Sequence, residues 1–215
     1  MAKKTTKAAG TTVQITPANL KVVVLKIVGT TPYVQNKFSN KAKEQMMAKQ
    51  AAGSTAKKGA RKPPKDFDEC VKNATYSVNG KNNPNGYIPA TAIKAAMVSA
   101  CRLVDFHMTV SKQCFNIDAD AYDKDELIPL IKITKGKPKR FDQAVNVQMT
   151  TDIRSRPMWD AGWEANVSIE YDADRFTLED IVNLLARAGK QVGIGEGRQA
   201  SRQCVGLGWG AFVVK

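Results

Sequence analysis

Apolar residues run almost unbroken through residues 20–28 (LKVVVLKIV), a β-branched stretch that predicts a strand inside a sheet. Pro32 and Tyr33 break the pattern. Further along, Trp163, Ala165, Val167, Ile169 and Tyr171 alternate with polar residues, which is the period of a half-buried strand. Two stretches follow the helical period instead. In the first, Pro89 and Thr91 supply a start, and Ile93, Met97, Ala100, Cys101 and Val104 share one face, with Lys94 and Arg102 opposite. In the second, Thr177 stands at the cap with Asp180 at the capping-box position. Leu178, Ile181, Val182, Leu185 and Ala188 form its core stripe, and Gly189 is its stop. Residues 127–134 and 143–150 read as two more strands, joined by a basic hairpin tip over 135–140, and a short apolar strand follows Gly210. The order is strand, helix, several strands, helix, strand. That is the βαββαβ plan, so the fold class is α+β: a ferredoxin-like or RRM-like antiparallel sheet with two packing helices and extra strands.

Composition alters this picture at two places. Residues 1–12 are polar and lysine-rich and read as a disordered basic arm before a single domain over 13–215. Within that domain, residues 37–75 read as a mobile insertion. Its stretch 37–65 holds nine Lys or Arg, among them Lys57, Lys58, Arg61 and Lys62, against one acid, Glu44, and has too few apolar residues for a core. A helical first half over 41–52 is compatible with it. The whole chain carries a formal charge of +13, and such an excess favours polyanions.

Several classes of chemistry find no support. Cys70, Cys101, Cys114 and Cys204 form no CxxC pair, and only His107 could join them, so no zinc site is expected. No apolar run approaches the ~20 residues of a membrane span, and no signal peptide is read at the start. The expected compartment is the cytoplasm, that of a bacterial host if the chain is phage-encoded, with no membrane partner. Gly193-x-Gly195-x-Gly197 follows a helix and leads to a strand, the reverse of a dinucleotide loop, and no P-loop is present, so no cofactor is expected. The acidic residues of 118–126 lack the order of a calcium loop and read as a solvated turn. No catalytic residue is assigned; a metal-independent ribonuclease centred on the lone His107 is the enzymatic alternative.

The binding candidates are basic and glycine-rich. Gly193, Gly195 and Gly197, with Arg198 and Arg202 and the later Gly206, Gly208 and Gly210, predict a loop able to grip a sugar-phosphate chain. Lys135, Lys137, Lys139 and Arg140 stand beside it as phosphate contacts. Arg154 and Arg156 precede Trp159 and Trp163, a grouping that could bind phosphates and stack bases, or could pack as an Arg–Trp cluster.

These residues resemble a known family. The glycine loop, through Gly193, Gly195, Gly197, Arg198, Gly206, Gly208 and Gly210, is similar to the signature loop of the RAMP superfamily, the RRM-like proteins of CRISPR effector complexes. Residues 87–94 (YIPATAIK) resemble the opening of that group's first helix, without its glycines and serines. Arg154, Arg156, Pro157, Trp163, residues 193–198 and Phe212 also resemble uncharacterised proteins of tailed bacteriophages. The match spans 76–214. The resemblance implies non-catalytic binding of RNA or single-stranded DNA along a groove, by subunits laid side by side. A phage assembly protein that neutralises packaged genome is the structural alternative.

Overall fold

The computed structural model describes residues 16–38, 40–51, 65–80, 82–147, 150–201 and 206–215. The elements, in chain order, are β1 (Leu20–Gly29), β2 (Tyr33–Val34), α1 (Asn40–Ala51), α2 (Phe67–Asn73), β3 (Tyr87–Pro89), α3 (Ala90–Ala100), α4 (Met108–Cys114), β4 (Phe115–Ile117), β5 (Ala121–Tyr122), β6 (Pro129–Lys135), β7 (Lys139–Val147), β8 (Thr150–Trp159), β9 (Glu164–Asp172), α5 (Leu178–Arg187) and β10 (Phe212–Val214). The fold is α+β and ferredoxin-like. The subset β1–α3–β4–β9–α5–β10 follows the βαββαβ order, and its strands lie antiparallel as β10-β1-β9-β4. β6 takes the same side of β9 as β4 but at its other end, and carries β3 and β5. A second, three-stranded sheet is ordered β2-β8-β7, with β7 and β8 forming a long hairpin.

The alternating strand behaves as its period predicts: Ala165, Val167, Ile169 and Tyr171 of β9, with Trp163 before it, are all buried. Thr177 and Asp180 form the reciprocal capping box at the start of α5. Elsewhere packing overrides the pattern. Leu178 of the expected stripe is exposed, and Leu184 takes its place in the core with Ile181 and Leu185. α3 ends at Ala100; a 3-10 turn follows, Asp105 adopts a left-handed conformation, and Val104 faces solvent. Only one face of β1 is covered: Val23, Leu25 and Ile27 face the core, and Leu20, Val22 and Val24 stay outside.

Gly189 does not stop α5. The helix widens into a π-helical turn, Ala188–Val192, and ends where Gly193 takes φ +73°. Gly189 is there for close packing: a Cβ on it would stand 2.3 Å from the backbone oxygen of Phe212. Gly189→Ala is therefore expected to destabilise the fold by about 1–3 kcal/mol through overpacking, read as a lowered urea midpoint.

Three aromatic side chains join the two sheets. Tyr33 stacks at 5.2 Å on Trp159 of β8 and at 5.8 Å on Trp163, and all three are buried. The indole N–H groups donate inward, Trp159 to the carbonyl of Asn85 at 2.7 Å and Trp163 to that of Thr31 at 3.1 Å. These tryptophans are core, not a platform for bases.

The basic run 135–140 is likewise not a hairpin tip. β6 and β7 do not pair; the chain crosses there from the first sheet to the second, with Gly136 at φ +104° against Trp163. β7 instead pairs with β8, from Lys139↔Met158 to Val147↔Thr150, and residues 148–149 lie outside the described residues.

The two ends of the expected insertion are anchored. Lys37, one of its nine cations, is buried, with Nζ 2.9 Å from both oxygens of Asp123 and 2.5 Å from Asp125. Asp123 also accepts the N–H groups of Ser77, Asp125 and Glu126, so the acidic turn holds a fully buried carboxylate. The Lys37 N–H donates to the Ala74 carbonyl at 3.1 Å, and Gln35 accepts from the Tyr76 N–H. Residues 67–73, placed in the insertion by composition, form α2, capped by Asp66 and packed on β8.

Candidate nucleic-acid interface

A groove of about 1030 Å³ runs between α3, the β7–β8 hairpin and the glycine loop. α3 lends it small residues, Ala92, Ala95 and Ser99. The hairpin lends Gln143, Asn146 and Arg154, the loop lends Gly193, Gly195, Gly197, Arg198 and the acid Glu196, and Asn36, Tyr76 and Trp209 also line it. The small side chains on the exposed side of α3 and the inward packing of the glycine loop keep it open.

The loop is shaped by its own chain. Gly193, Gly195 and Gly197 all have positive φ. A Cβ on Gly195 would lie 2.5 Å from the Val34 carbonyl oxygen, and one on Gly197 2.4 Å from the Trp209 indole. Gly210 passes closer still, its absent Cβ 1.8 Å from the Ile194 carbonyl oxygen. The missing side chains thus make room for Val34, Trp209 and Ile194. The backbone ladder agrees: Ile194 donates to Gly210, Glu196 to Val34, and Gly210 to Pro32. The loop is held as a rigid rim.

The predicted basic residues separate into groups. Arg198 and Arg154 are exposed at the groove, and among the described residues neither forms an ion pair, though, after the Lys65 hydrogen bond, the Arg154 charge helps hold the Asp152 carboxyl below its usual range; Arg198 makes one bond of 3.1 Å to the Gly195 carbonyl. Lys137 is exposed and also unpaired among the described residues. Lys135 pairs with Glu164, Lys139 with Asp160, and Arg140 with Asp68 and Asp142. None of Lys135, Lys137, Lys139 and Arg140 lines the groove. The Arg140 hydrogen bond, then that of Ser155, holds the Asp142 carboxyl below the usual range. Lys57, Lys58, Arg61, Lys62 and Arg202 lie outside the described residues.

Arg156 requires a correction. It alternates with Arg154 along β8, and alternate strand residues face opposite sides. Its side chain is buried and meets Glu196 at 2.6 Å, a contact of charges rather than an aligned hydrogen bond. Burial lowers its pKa, opposed by the Glu196 charge. Arg156 therefore fastens the glycine loop to the hairpin and is not available to a ligand.

His107 is exposed at the start of α4 and does not line the groove. Among the described residues no three metal-ligating side chains cluster, and no helix is long and apolar enough to cross a membrane. Sequence reasoning missed Asn36, Tyr76, Gln143 and Asn146, which only the fold brings together. Trp209, set between Gly208 and Gly210, was a visible signal.

No family model matches the chain, and no curated protein matches it in sequence. Among solved structures it is similar to a chain in the cryo-electron microscopy structure of the type III-B Cmr-beta bound to cognate target RNA. The identity is 12% and the TM-score 0.44, over 91% of this chain and 59% of that one. The chain thus spans less than two thirds of that neighbour's length, and a likeness of this size carries no argument about function.

Proposed function

We propose that the protein binds single-stranded nucleic acid, RNA or DNA, without catalysis, through the sugar-phosphate backbone lying in this groove. The carrying observation is the pair Arg154 and Arg198. They come from distant parts of the chain, reach one groove, and are exposed there without forming an ion pair among the described residues, while Lys135, Lys139 and Arg140 are ion-paired with carboxylates. Two free guanidinium groups above a floor of amides and half-buried rings suit a phosphate chain with its bases turned inward. Lys137, exposed and outside any ion pair among the described residues, is a further phosphate contact in this reading. This reading sets the protein in a reducing cytoplasm, with further copies arranged along a long strand.

The test is a binding isotherm on a fluorescent oligonucleotide across a salt series. Affinity is expected to fall linearly on a log–log plot, and Arg154→Ala or Arg198→Ala is expected to reduce the slope by about 0.7 each for a single strand. Lys135→Ala, at a paired position outside the groove, is expected to leave the slope nearly unchanged. No detectable binding at ~50 mM salt would remove the proposal.

A further inference from the structure

Among the described residues, the outer edge of β1 is open along much of its length. β10 pairs only with Ile27, Val28 and Gly29, and the Lys215 N–H closes that ladder on the Lys26 carbonyl at 2.9 Å. Backbone groups alternate sides along a strand. Asn19 accepts from Ala173 and Gly29 donates to Trp163, so odd-numbered residues face β9. Lys26 faces the other way, and so do Leu20, Val22 and Val24. Among the described residues the backbone groups of these three find no partner on that edge. Their side chains are also exposed, at 54%, 61% and 64%. The strand itself carries none of the usual edge protections over 20–25: no proline, no bulge, and a single charge, Lys21.

We infer that this edge pairs antiparallel with the same edge of a second copy, about a two-fold axis at Val22. The strand is self-complementary in that register. Val22 meets Val22 and Leu20 meets Val24, three hydrogen-bonded pairs that each exchange two bonds and place apolar side chains opposite one another. Lys21 falls opposite Val23, so no like charges face each other. Moving the axis to Val23 would set Leu20 against Lys26, whose carbonyl Lys215 already occupies. An isologous contact needs one patch that fits itself, and this one does. The contact does not involve the groove and does not depend on nucleic acid.

The experiment is sedimentation velocity on the full chain after nuclease treatment, in roughly 0.5 M salt to suppress bridging by nucleic acid. A dimer is expected. Under mild oxidation Val22→Cys is expected to give a disulfide-linked dimer that the wild-type thiols do not, because paired Cα atoms about 5.5 Å apart can be bridged. Val22→Lys/Val24→Lys, both at exposed side chains, is expected to be monomeric with an unchanged circular dichroism spectrum. A wild-type monomer overturns the inference, whatever covers the edge. So does a dimer that survives the lysine pair, or one in which Val22→Cys does not cross-link while still dimeric in reductant. Loss of oligonucleotide binding with the dimer intact would instead count against the groove alone.

Discussion

Asp123→Ala is expected to be among the most destabilising single substitutions in this protein, costing about 3–5 kcal/mol and lowering Tm by roughly 6–20 °C. It strips the buried Lys37 ammonium of its bidentate partner and orphans the N–H groups of Ser77, Asp125 and Glu126 together. Lys37→Met is expected to cost less, because Asp123 then keeps its three backbone donors. The pH dependence separates the two variants further. Burial draws the Lys37 pKa down, but hydrogen bonds from it to Asp125 and Asp123, with their charges, outweigh this and leave it raised above 10.5. A raised folded-state value means that the ion cluster contributes fully below 10.5 and less as pH rises through the folded value. The gap in urea midpoint between wild type and Lys37→Met should therefore be widest below 10.5 and close above it. Equal midpoints for Asp123→Ala and wild type would show that the cluster holds nothing together.

Arg154→Glu/Arg198→Glu is expected to weaken single-strand binding by about 60-fold or more at 50 mM salt. Each phosphate contact on a single strand carries a slope of about 0.7, worth nearly a decade at that salt, and the new carboxylates add repulsion. The same variant should approach wild type near 1 M salt, where counterion release supplies almost no driving force. Both side chains are exposed, so the melting temperature should hold. A binding loss that persists undiminished at high salt would mean that the groove is damaged rather than discharged.

The parts of this molecule written in local periodicity could be read from the chain. β9 alternates because one face meets the core, and α5 begins where Thr177 and Asp180 can cap it, both within a few residues. The basic run 135–140 misled because charge and proline mark any exposed crossing, a hairpin and a link between sheets alike. Arg154 and Arg156 look equivalent in sequence. Only the pleat separates them, and the partner that buries Arg156 lies forty residues on, at Glu196. Asp123 reads as one more acid in an acidic turn until Lys37 is found beside it. In the groove, the glycines were legible as a loop, but their role was not, because what fills the space of each missing Cβ belongs to distant residues such as Val34 and Ile194.

The Lys37–Ala74 bond has a consequence for how this chain can vary. Departure and return are sewn together at one point, so the frame registers little of the contour length between them. Loop closure grows only with the logarithm of length, about 0.6 kcal/mol per doubling, once the ends are fixed. Doubling the number of residues between 38 and 65 would therefore add a closure cost smaller than that of removing one buried methylene from the sheet below. The seam keeps the frame closed whatever length of chain it spans.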